Sequence, residues 1–143
     1  MKLVDKMKDE NLGLAILYNF TKGYGHVPMS VYDVVLPFLY HDGFRNHLFE
    51  GIEVEEALTK CVQEDASFIQ NILDTIEKDK EMTSRALGIC LLNKYLSFEF
   101  EDNEMKGIYH ESSILDINEA IRLGQYFSGK TYDDILNILK KKT

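Results

Sequence analysis

Asn11 to Leu48, reading NLGLAILYNFTKGYGHVPMSVYDVVLPFLYHDGFRNHL, is the stretch that most limits what this chain can fold into. Between Asn11 and Phe20 the apolar residues Leu12, Leu14, Ala15, Ile16, Leu17, Tyr18 and Phe20 fall almost all round a helix. Such a helix has to be buried on most sides, so other elements must surround it. Lys22-Gly23-Tyr24-Gly25 ends it, and Ser30 with Asp33 gives a capping-box-like start for a second helix over Val31 to Tyr40. Pro37 lies inside that second helix. It frees the carbonyl of Asp33 and disfavours helical geometry at Leu36, which predicts a kink or a break.

A chain of 143 residues is one domain, long enough to bury a core without metal or disulfide staples. Its 16 basic and 24 acidic residues leave a net charge of −8. That balance argues against a general affinity for nucleic acid or anionic membrane, both of which need a basic face. Cys61 and Cys90 each sit in an apolar helical pattern, the setting of buried free thiols in a reducing cytosol. The longest apolar run, Val34 to Tyr40, is too short to span a bilayer, and no signal peptide is evident, so a cytoplasmic location is expected.

The organisation expected is a mainly α, compact helical domain with a small β-hairpin wing, winged-helix-like, over residues 1–143. Residues 1–10 are charged and without a stable period, an arm frayed or docked on a partner; 11–50 hold the N-terminal helices. Residues 53–111 form the winged-helix-like part. There Val54, Ala57, Leu58 and Cys61 share a helical face that resumes with Phe68, Ile69, Ile72, Leu73 and Ile76. A further helix over Met82 to Tyr95 has Ala86, Ile89, Cys90 and Tyr95 on or near its buried side. Leu96 to Glu101 then alternates apolar and polar as a half-buried strand does, Asp102-Asn103-Glu104 turns, and Lys106 to His110 returns. Two helices, Asp116 to Phe127 and Thr131 to Lys142, close the chain as a pair over 116–142.

Gly124-Gln125-Tyr126-Phe127-Ser128-Gly129-Lys130-Thr131 matches GxxxxGK[ST], the phosphate-cradling loop. That chemistry needs a strand entering the loop and small residues that let backbone N–H groups turn inward. Here the entry has helical spacing, the loop holds the bulky Tyr126-Phe127 pair, and twelve residues remain after Thr131. A helix–glycine–helix corner accounts for it better, so nucleotide binding ranks last among the readings. His41, Asp42 and His47, with His26 nearby, have neither one-face nor knuckle spacing, and no metal site is expected from them. Cys61 and Cys90 lie among Leu, Ile and Val, where a thiol keeps a high pKa and stays inert. No catalytic residue, cofactor or metal is therefore expected.

A DNA-reading wing would carry Lys and Arg. This one has Glu99, Glu101, Asp102, Glu104 and Glu111 against Lys106, and the helix before it offers Arg85 and Lys94, with Lys78 and Lys80 just ahead. A protein-binding wing is the better reading, and a winged-helix DNA-binding regulator is kept as the alternative.

Asn11, Phe20, Gly23, Tyr24, Pro28, Leu36, Pro37 and His41 give the N-terminal run a pattern that resembles the middle components of bacterial three-component ABC-ATPase conflict systems. Ala120 to Phe127, followed by Thr131 to Leu139, is similar to that family's closing helix pair. The chain departs from the pattern at Leu12, where the family commonly has Pro, and in its acidic wing. The resemblance implies a non-catalytic adaptor linking an SMC-like or ABC-type ATPase to an effector subunit in an anti-phage or anti-plasmid complex. A hetero-oligomer is expected, with no membrane contact and no direct DNA binding by the chain alone. Pro37, Phe38, Phe44, Phe49, Tyr132, Leu136 and Leu139 are the candidate partner-binding residues, because a lone domain of this size leaves apolar surface uncovered in those two stretches.

Overall fold

A computed structural model describes residues 3–142, with side chains described from residue 11. The buried first helix is α1, Leu3–Tyr24, and it runs through the middle of the molecule. Ile16, Leu17, Tyr18, Phe20 and Thr21 are all buried, as a helix that is apolar nearly all round requires. The segment expected as an arm, 1–10, is helical in its backbone from Leu3 onward; its first two residues and its side chains lie outside the described residues.

After Gly25, which takes φ of 107°, the chain makes a short strand β1 (Val27–Pro28), a 3-10 segment (Met29–Val34) and α2 (Val35–Leu39). The expected capping box is not made. Pro28 precedes the 3-10 segment without a side-chain cap, and Ser30 lies inside that segment. The break falls before Val35 rather than at Leu36. Pro37 is the third residue of α2, in the first turn, where a missing N–H costs no intrahelical bond.

α3 (Asp42–Phe49) and α4 (Val54–Glu64) follow, and α4 buries the expected Val54, Ala57, Leu58 and Cys61. The two helices expected on either side of residue 80 are one, α5 (Phe68–Leu92), continuous over 25 residues. Its buried stripe runs from Phe68 through Ile72, Ile76, Thr83 and Leu87 to Cys90, whereas Ile89 is exposed. Tyr95 lies beyond the helix end. Lys94 turns the chain there with φ of 61°, and Tyr95 N–H reaches back to the Cys90 carbonyl.

β2 (Leu96–Glu101) and β3 (Glu104–Tyr109) form the expected hairpin. Asp102 and Asn103 both take positive φ, which makes a two-residue turn whose twist suits a hairpin. β1 adds to β3, so the antiparallel sheet runs β1-β3-β2. The wing thus draws a strand from outside residues 53–111. The small β wing on a mainly helical fold is as the sequence predicts.

α6 (Asn118–Phe127) and α7 (Tyr132–Lys141) close the chain. α6 lies directly on α1. A Cβ on Gly23 would come 2.0 Å from the Ile121 carbonyl oxygen, and one on Gly124 would come 2.3 Å from the Phe20 carbonyl oxygen. Glycine at both positions is what lets the two backbones touch. One buried cluster takes side chains from every helix, with Phe38, Phe44, Phe68 and Phe127 in ring contact around α2.

Candidate functional site

The phosphate-loop motif is a corner between α6 and α7. Gly124 is inside α6 and Gly129 turns the chain with φ of 79°. The Lys130 ammonium donates to the Tyr126 carbonyl at 3.1 Å and lies over the Tyr126 ring. Thr131 caps α7, its hydroxyl accepting from Asp134 N–H while the Asp134 carboxylate accepts from Thr131 N–H. The Thr131 N–H, with the Thr131 hydroxyl beside it, holds the Asp134 carboxyl below the usual carboxylate range. The corner is fastened to the end of α1: Tyr24 Oη donates to the Lys130 carbonyl and Ser128 Oγ to the Tyr24 carbonyl. The residues that a phosphate would need are thus engaged in joining helices.

Each of the four histidine-centred candidates has its own partner. His41 Nδ1 caps α3 by accepting from Phe44 N–H, and burial holds its pKa below the ordinary value. Asp42 pairs with Arg45 at 2.6 Å, and His26 with Glu101 of the wing at 2.9 Å. His47 Nε2 meets Glu64 at 2.8 Å, and Cys61 joins them so that the three donor atoms lie within 4.8 Å of one another. Sequence spacing hid this trio, since His47 comes from α3 and the other two from α4. His47 and Glu64 already hold each other by a direct hydrogen bond. Burial pushes the Cys61 thiol up to about 11, so it stays protonated. Cys90 is likewise pushed up to about 12, against a carbonyl of α1.

The candidate partner residues divide sharply. Pro37, Phe38, Phe44 and Leu139 are buried in the chain's own core, and Tyr132 and Leu136 are half-buried against it. The four buried ones are covered within the chain: α2 packs against α1, α5 and α6, and α7 against the 3-10 segment. Phe49 is the exception at 79% exposed. Other large apolar residues at the surface were missed in the sequence: Leu12 on α1, Ile89, Leu91 and Leu92 near the end of α5, Leu115 before α6, and Phe100 with Met105 on the wing. A signal for one of them, Phe100, existed. Leu96, Phe98 and Phe100 continue one apolar face up to the turn, farther than the core can follow.

Charge on the wing is acidic throughout. Lys106 stands 3.4 Å from Asp102 and 4.0 Å from Glu104, with Glu99 opposite it in the ladder, while Glu101 is held by His26. On α5, Lys80 pairs with Glu77 and Arg85 with Glu81. Lys80, Arg85 and Lys106, three of the cations that could have met a phosphate backbone, are thus matched by neighbouring carboxylates. Beside the wing, at the end of α5, a shallow groove of about 440 Å³ is lined by Leu91, Lys94, Leu96, Ser97 and His110. No helix among the described residues is long and apolar enough to cross a membrane.

Among known protein families, the one described as ABC-three component (ABC-3C) system Middle Component 3 matches residues 12–142, all but the two ends of the chain. No curated protein and no solved structure matches.

Proposed function

Because this chain belongs to the ABC-3C Middle Component 3 family, we propose that it is a non-catalytic adaptor. In this reading it links an SMC-like or ABC-type ATPase to an effector subunit within a complex that defends a bacterium against phage or plasmids. The observation that carries the reading is the match over residues 12–142 to a component of a multi-part ATPase system. The surface supports it. Phe49, Leu92, Phe100 and Leu115 are at least two-thirds exposed, and exposed apolar groups of this size mark protein interfaces when they cluster.

The order of helices followed by a hairpin, with β3 between β1 and β2, supports reading the sheet as the wing of a winged-helix domain. Its carboxylates favour a protein-binding wing over a DNA-reading one, since phosphates would be repelled.

Co-expression with the ATPase component of its ABC-3C system, then affinity purification and sizing, tests the reading. Co-elution in a stable hetero-oligomer is expected. A well-behaved monomer, with the ATPase eluting alone, would contradict it. The isolated chain should also leave duplex DNA unshifted at physiological salt; a salt-sensitive shift in the low micromolar range would favour the regulator.

A further inference from the structure

β3 is flanked by a strand on each side, whereas β2 has a neighbour on one side only. Glu101 faces Glu104 across the two-residue turn, and His110 N–H bonds the Tyr95 carbonyl at the other end. That phase makes Ser97, Glu99 and Glu101 the residues that exchange hydrogen bonds with β3. Leu96, Phe98 and Phe100 therefore direct their N–H and C=O groups away from β3; Leu96 is buried, which leaves the edge open at Phe98 and Phe100. An uncovered strand edge is a template for another strand.

Side chains along β2 follow the same alternation. Leu96, Phe98 and Phe100 share the apolar face, and its outer end is open, with Phe100 68% and the facing Met105 41% exposed. Glu99 and Glu101 stand on the opposite face. The groove floored by Leu96 and walled by Leu91 lies at the inner end of β2, where an added strand would finish. A second copy of this chain is the wrong occupant, because its own β2 would bring Ser97, Glu99 and Glu101 to that face and no cation to complement the carboxylates. The same carboxylates attract a strand of opposite charge.

We propose that β2 accepts, by strand addition, an extended segment of a partner protein in which basic residues alternate with apolar ones. Residues opposite each other across a ladder share a face. The segment's apolar side chains extend the Phe98–Phe100 face towards the groove, and its Lys or Arg side chains meet Glu99 and, in exchange for His26, Glu101. Main-chain bonds supply affinity and the alternation supplies selectivity.

The test uses the intact chain and a blocked peptide of alternating Lys and Val, followed by amide NMR and calorimetry. Saturable binding is expected, with the largest shifts at Phe98 and Phe100, and none with the Glu–Val counterpart. Phe100→Pro removes an N–H that β3 does not use, so the fold should persist while affinity falls about tenfold, the worth of one hydrogen bond. Glu99→Gln with Glu101→Gln keeps every backbone group and should weaken binding while flattening its salt dependence. The proposal is overturned if the Lys–Val peptide does not bind, if the Glu–Val peptide binds equally well, or if the shifts fall away from β2. Unchanged affinity in the folded Phe100→Pro chain, or in the double Gln variant, overturns it as well.

Discussion

The crossing of α1 on α6 and the outer half of the wing are built from the same kinds of residue and put them to opposite uses. At the crossing, Gly23 and Gly124 bring two backbones into contact, and Tyr24, Ser128 and Lys130 fasten the next corner to it. Nothing there is left over for a partner. On the wing, an apolar face runs past the core to Phe100 and Met105, the edge of β2 is uncovered, and the carboxylates around it lack equal numbers of cations. The first region is finished within the chain and the second is not. Apolar residues at helical spacing belong to the fold, while apolar residues that outrun the core are the ones to assign to an interface.

Phenylalanines give the widest contrast. Phe38 is fully buried in ring contact with Phe44 and Phe127, and Phe38→Ala should cost about 3–5 kcal/mol in urea denaturation. Phe49→Ala, at an exposed position, should stay within about 0.5 kcal/mol. Comparable losses for the two would erase the distinction. The crossing itself comes next: Gly124→Ala forces a Cβ into the Phe20 carbonyl, and about 3 kcal/mol or more should be lost as the helices part.

Alkaline pH probes the closed region chemically. The folded Cys61 and Cys90 thiols hold their protons to about 11 and about 12, against 9.0 ordinarily. Above pH 9 the unfolded chain releases those protons while the folded chain keeps them. Stability contributed by the thiols is therefore fully present below pH 9 and falls as pH rises towards 11–12. Cys61→Ala with Cys90→Ala should flatten the pH dependence of the denaturation midpoint across that window; an unchanged slope would assign the loss to other groups.

The corner gives the smallest effect. Thr131→Ala breaks the capping box of α7 and should cost about 1 kcal/mol. Lys130→Ala should leave ATP binding undetectable by calorimetry, as in the unaltered chain. Saturable micromolar binding that this variant loses would mean the corner holds phosphate after all.

How far the sequence reveals this division depends on the range of the forces involved. The burial of α1 from Ile16 to Thr21, the face Val54–Cys61, the hairpin and the closing helix pair follow from local periodicity, and the structure has them, whereas Leu12, expected inside, is exposed. Ser30 failed as a cap because β1 and the tight 3-10 segment already govern the chain where a cap would act. The break expected near residue 80 failed because Asp79 and Thr83 carry the buried stripe across a polar stretch that looks like a gap. Pro37, Phe38, Phe44 and Leu139 were read as uncovered because the sequence does not tell which helices come together over them. Long-range packing decided that, and it left Phe49 alone of the seven largely exposed.

Amide hydrogen exchange, compared between the free chain and the complex with its ATPase, measures most directly whether the unfinished region is where the partner sits. Added protection should concentrate at Phe98 and Phe100 and along the end of α5, with the α1–α6 crossing unchanged. A complex that leaves the wing amides as exchangeable as in the free chain, and protects other elements instead, would contradict the account.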